Sequence, residues 1–187
     1  VANPNNLFGF KPIGRDSGGP IFSRQYGKAS ADSKAIFMSD MVLKAATSVP
    51  DPTGVGNPMP GITSGQNATP GTSLYQGVSI NYGAASAATP HYVVDEIDVI
   101  FIAQVDGSLS VTTASQVGKN ANVVLGTGNA LTKQSTMGVN NTTIATTAGE
   151  DLRIIRVSNI VPNAEGANAI VEVIILKHEL GQGTAGI

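Results

Sequence analysis

Three carboxylates fall close together at Asp95, Glu96 and Asp98. Such a group can bind a hard cation through oxygen ligands, or serve as a paired acid and base. Alternation along an extended chain puts Glu96 and Asp98 on one face and Asp95 on the other, with Asp106 farther along the first face. No second carboxylate group follows at matching spacing, so the expectation is a solvated start to a strand. His178-Glu179 closes an apolar run that also holds Glu172 and Lys177. His178 and Glu172 share a parity, but a single histidine beside charges reads as a surface residue, and metal binding would need partners from elsewhere. Gly126-Thr127-Gly128 begins like a phosphate loop, yet it lacks a third glycine in place and a following helix, so it reads as a turn. Lys119, alone in Gly/Asn-rich sequence, specifies no phosphate site.

A sharper motif is Arg15-Asp16-Ser17-Gly18-Gly19-Pro20. It nearly reproduces the Gly-Asp-Ser-Gly-Gly-Pro around the nucleophile of trypsin-like serine proteases. In those enzymes a His and a buried Asp precede the serine in sequence and meet it in space. Here Ser17 stands near the start of the sequence, Arg15 replaces the first glycine, and the only histidines, His91 and His178, come later. The expected structure is a Gly-Gly-Pro turn. No catalytic residue, metal ligand or cofactor is expected, and the chain is read as non-enzymatic.

Composition narrows the remaining classes. The chain has 187 residues, enough for one cored domain plus an arm or long loop. Charged residues make up 13%, about half the usual share, while Gly (22), Pro (10) and many Ser, Thr, Asn and Ala fill the surface. A formal net charge of −2 provides no field to attract nucleic acid or an anionic membrane. The absence of cysteine excludes disulfides, thiol nucleophiles and zinc–thiolate sites, and suits synthesis in a reducing cytoplasm. Residues 1–10 show no secretory pattern. The longest apolar runs, at 99–103 and 171–176, are strand-sized and far below the roughly 20 residues that span a bilayer. Two glycosylation sequons, at Asn67 and Asn140, are read as loop composition.

These residues must be positioned by strands. Residues 1–30 carry Leu7, Phe8, Phe10, Ile13, Ile21, Phe22 and Tyr26 without a period of 2 or 3.6, which predicts an extended arm lying on its own domain or on a neighbour. The expected domain is residues 31–187, all-β, a single antiparallel barrel or sandwich. Residues 34–45 read as a strand pair turning at Ser39-Asp40. Residues 46–73, with Pro50, Pro52, Pro58, Pro60 and Pro70, read as a long loop unable to form a central strand. Residues 74–82 and 97–105 alternate cleanly. Asp106-Gly107 then predicts a tight hairpin returning through 109–113. Short strand-like pieces are expected at 123–125 and 142–146. Residues 152–161 and 169–180 are β-branched on both faces and are expected as central antiparallel neighbours joined by a loop at 162–166.

Several stretches in this order carry a family likeness. They are Leu7-Phe8-Gly9-Phe10-Lys11-Pro12, Ala35-Ile36-Phe37-Met38-Ser39-Asp40-Met41-Val42, Val94–Gln104, Val117–Asn122, Leu152–Ile155 and Val171–Leu180. Over nearly its whole length the chain resembles the head decoration, or cement, proteins of tailed bacteriophages. The resemblance implies a β-barrel on the outer capsid surface of the virion, made in the bacterial host cytoplasm. It also implies an arm reaching between subunits, the major capsid protein as partner, and no catalysis. The 46–73 loop departs from that pattern. Leu7, Phe8, Phe10, Ile21 and Phe22 are the expected apolar anchors at the capsid or subunit interface. A homo-oligomer, trimer or dimer, fits a repeating lattice. A phage tail, baseplate or host-adhesion β-module is the alternative, although an adhesion module would be expected to expose Trp and the chain has none.

Overall fold

β-branched and aromatic residues become strands wherever they alternate or run together. The computed structural model describes residues 3–46, 48–49, 58–107 and 112–181. Along the chain come β1 (Lys11–Arg15), β2 (Arg24–Lys28), β3 (Met41–Lys44), β4 (Gly61–Ser64), β5 (Tyr75–Ser79) and β6 (Thr89–Val94). After these follow β7 (Val99–Gln104), a single helical turn α1 (Thr113–Gln116), β8 (Asn120–Ala121), β9 (Val123–Val124), β10 (Gly138–Val139), β11 (Leu152–Val157) and β12 (Ile170–Ile175). The fold is all-β.

Two main units result. β2-β4-β3-β5-β6 close into a barrel, and β1-β7-β12-β11-β8 form an antiparallel sheet, with β9 and β10 as a separate ribbon. Within the barrel only β2 and β4 run parallel. The chain starts the sheet at β1, builds the whole barrel, and returns to pair β7 directly against β1, with Arg15 opposite Val99. β12 lies in the middle of the sheet with β11 antiparallel beside it, as their two-faced β-branched pattern requires.

The inner face of the sheet presents Val99, Phe101, Ala103, Val171, Val173, Ile175, Leu152 and Ile154. These pack against Met41, Tyr75, Val78 and Val94 from the barrel wall and Val123, Met137 and Val139 from the ribbon region. A second cluster, Tyr26, Ile36, Val42, Ile62 and Val93, lies with the barrel strands. Fully burying side chains of this size contributes roughly 1.5–3 kcal/mol each before entropy is counted.

Several expectations need correction. Residues 1–30 are not an arm separate from a domain that starts at residue 31. β1 is hydrogen-bonded to β7, β2 is a barrel strand, and Phe10 is fully buried in the main core. The 46–73 stretch supplies β4, which sits between β2 and β3 because residues 61–64 are free of proline. Pro60 immediately before it contributes only its carbonyl, which accepts from Gly27 N at 3.0 Å. The hairpin expected after Asp106-Gly107 falls mostly on 108–111, which lie outside the described residues. Gly107 does take φ +73°, and the middle of β7 has β1 on one edge and β12 on the other. Thr112 caps α1. Finally, 34–45 yields only β3 after a turn at Ser39 (φ +71°), preceded by isolated bridges at Ile36 and Met38. At 142–146 a 3-10 turn, Asn141–Thr143, replaces the expected strand.

Candidate functional site

The N-terminal segment is stitched to its own domain by amide side chains. The Asn3 amide donates to the carbonyls of Ala164 and Ala167, while its oxygen accepts from Ala164 N. The Gln104 side chain accepts from Asn6 N at 2.7 Å and donates to the Pro4 carbonyl at 2.8 Å. The five expected anchors therefore divide. Leu7 is half-buried over Gly138, where a Cβ would meet its Cδ2 at 2.6 Å. Phe8 is half-buried under the Lys11 ammonium, 4.8 Å from the ring centroid. Phe10 is a core residue of its own domain, and Ile21 packs on the same core. Phe22 alone remains exposed, at 56%.

Ser17 is paired with a carboxylate and not with a histidine. Its hydroxyl donates to the Asp98 carboxylate, which the Arg15 guanidinium holds through Nε at 3.1 and 3.2 Å. Arg15 also reaches Glu96 at 3.0 Å. The Ser17 hydrogen bond, with Arg15 assisting, keeps the Asp98 carboxyl below the usual carboxylate range, the opposite of a proton acceptor. Both histidine rings are engaged elsewhere. His91 lies 2.9 Å from Ser79 Oγ and 3.2 Å from Thr89 Oγ1, and His178 Nδ1 accepts from Leu180 N.

Asp95 and His178, expected on the surface, are both buried. Asp95 Oδ2 accepts from Arg24 at 2.9 Å and from the Tyr26 hydroxyl at 2.5 Å, and the Gln76 amide donates to that hydroxyl at 3.0 Å. Burial first, then the Asp95 hydrogen bond, raises the Tyr26 phenol strongly. Asp95 Oδ1 and His178 Nε2 have no hydrogen-bond partner among the described residues. Because His178 Nδ1 is an acceptor, the ring proton of neutral His178 belongs on Nε2, so that nitrogen is a donor and not a metal ligand. Among the described residues no group of three or more His, Asp or Glu is placed to hold a metal ion. Nor is any described helix long and apolar enough to cross a membrane. At the other end of β2, Lys28 lies fully buried, its ammonium donating to the Asp32 carbonyl at 3.0 Å, and burial lowers its pKa.

The remaining candidate is a surface. Alternation in the five-stranded sheet sends one side chain set to the core and the other outward, where Ile100, Ile102, Ile170 and Ile174 are only half-buried. Register arranges this outer face in rows. Lys11 pairs with Ile102, Ile102 with Glu172, and Glu172 with Arg156. In the next row Gly14 pairs with Ile100, while Ile174 pairs with Arg153 and Arg153 with Asn120. Arg156 Nε donates to Glu172 at 2.7 Å, and Arg153 Nε reaches Asn120 Oδ1 at 3.4 Å. The 97–105 alternation already separated Ile100 and Ile102 from Val99 and Phe101. The cations beside them come from strands distant in sequence.

Compared with protein-family models, curated protein sequences and solved structures, the chain finds no match.

Proposed function

We propose that the chain is a structural decoration (cement) protein of a tailed-phage capsid, binding the outer shell surface and strengthening contacts between major capsid protein subunits. The observation that carries this reading is the outer face of the five-stranded sheet, where register sets half-buried Ile100, Ile102 and Ile174 between Lys11, Arg153 and Arg156. A sheet face of this kind suits flat contact with a larger surface. The resemblance in strand and turn order supports the same role. So does the low charge density, which limits repulsion between closely spaced copies. Weak individual contacts suffice, because oligomers on a repeating lattice gain avidity. The stitched N-terminal segment belongs to the clip's own body in this reading, and Phe22 is its exposed apolar contact.

Quantitative mass spectrometry of purified phage particles tests the proposal. Hundreds of copies per particle are expected. A handful of copies would point to the tail or baseplate, and none would overturn a virion role.

A further inference from the structure

We infer that the outer face of the five-stranded sheet is the docking face, and that it takes a shell-protein patch with an apolar centre rimmed by carboxylates. This rests on the decoration reading above and adds the chemistry of the partner. Ile100, Ile102 and Ile174 form the centre, on the central strands β7 and β12. Lys11 flanks them on β1, and Arg153 and Arg156 flank them on β11. Glu172, the one carboxylate in these rows, has a side chain only 6% exposed and is held by Arg156. Three cations stand against one carboxylate in these two rows, and Asp98, next along the same face, is paired with Arg15, so the rows remain two charges positive in a chain whose formal net charge is −2. The local charge therefore opposes that of the molecule, and a matching surface must be acidic.

The same rows argue against other occupants. A second copy docking face to face by a twofold axis would set Lys11, Arg153 and Arg156 against an equally cationic patch. A nucleic acid would need aromatic platforms or a comb of phosphate-directed donors, and isoleucines supply neither. The face is bounded at Gln104, which the N-terminal segment covers through Pro4 and Asn6.

The experiment uses particles that carry the chain, stripped and re-decorated with variants. The double variant Lys11→Glu/Arg153→Glu is expected to bind about tenfold more weakly than wild type, and to lose most of the salt sensitivity of binding. Ile102→Asp is expected to lose occupancy, whereas Val161→Asp, at a side chain 94% exposed in the loop joining β11 to β12 and outside the two rows, keeps it. Folding of each variant is checked by urea denaturation. A readout independent of variants is Lys11 acetylation on intact particles. Shielding of Lys11 relative to free protein, with Lys44 as an internal comparison, supports the inference. Undiminished binding of the double variant, or equal Lys11 labelling free and bound, overturns the docking face while leaving the decoration role intact. Absence of the chain from particles overturns both.

Discussion

Tyr26 and Asp95, 69 residues apart in sequence, meet where the barrel adjoins the end of β6, the phenol donating to Oδ2 at 2.5 Å. That bond holds β2 to the segment following β6 and excuses a carboxylate that solvent cannot reach. Arg24 on the same oxygen supplies the compensating charge, with its own side chain 60% exposed. A buried carboxylate that stays ionised needs such pairing.

Tyr26→Phe should therefore destabilise the fold although it removes a single oxygen. Asp95 would keep Arg24 but lose its hydroxyl donor, and the Gln76 amide would lose its acceptor. A cost of about 1–3 kcal/mol is expected, read as a lower urea midpoint at unchanged slope. An unshifted midpoint would mean the cluster contributes nothing net.

Stability should respond to pH in two opposed ways. Burial, with Lys28 adding repulsion, pushes His91 down to about 4. Burial also lowers His178, against the pull of Asp95 and Glu179. A histidine whose folded pKa is depressed contributes stability fully present above its unfolded value near 6.5, and loses it as pH falls toward the folded value. Asp40 behaves oppositely. Burial raises it to about 6, so its contribution is present below the ordinary carboxylate value and is lost as pH rises through about 6. Asp151 is raised in the same sense. Asp40→Asn keeps an acceptor for Phe37 N. It should stabilise the protein at pH 8 and give no such gain near pH 4, measured as urea midpoints across that range.

Gly77→Ala should be severe. The backbone there has φ +145°, and a Cβ would stand 2.2 Å from the Val94 carbonyl oxygen, in the wall where β5 meets β6. Neither backbone can yield without breaking the ladder, so a loss on the order of 3 kcal/mol is expected. Gly14→Ala, with nothing within 4 Å of its Cβ, should move the thermal midpoint little. Equal effects at both sites would contradict this placement of β5.

Phe10→Ala and Phe22→Ala separate core from surface. The first empties a fully buried site and should cost about 3–5 kcal/mol. The second should leave stability within about 0.5 kcal/mol. Deleting residues 1–25 would remove β1 and Phe10 together, so truncation should unfold the domain and is no test of a detachable arm. Proteolytic sensitivity of the truncated chain checks this.

The sequence reveals the fold where residues carry their own periodicity. The alternation of Val99, Phe101 and Ala103, and the two-faced runs of β11 and β12, made the sheet legible, including its central pair. β4 was hidden because four proline-free residues among prolines carry no pattern of their own, and their strand character comes from the neighbours β2 and β3. Phe10 looked like an anchor because irregular spacing says that a side chain is apolar, not which core receives it. Burial of Asp95 was illegible for a related reason. Its partners, Arg24 and Tyr26, lie about seventy residues upstream and are brought to it by barrel closure. The outer sheet face was half legible, with its isoleucines assigned by parity and its cations invisible until register placed them.

The pairing of β1 directly with β7 has a consequence for how the molecule forms. Everything between Arg15 and Val99 is inserted into what is otherwise one antiparallel hairpin, and the two ends of that insert stand side by side. Closing so long a loop is entropically costly until the insert has collapsed, so the barrel should gain structure before β1 docks. Its outer wall then offers Met41, Tyr75, Val78 and Val94 as the template on which the sheet condenses. Assembly should proceed from the middle of the chain outward, with the first strand among the last to settle.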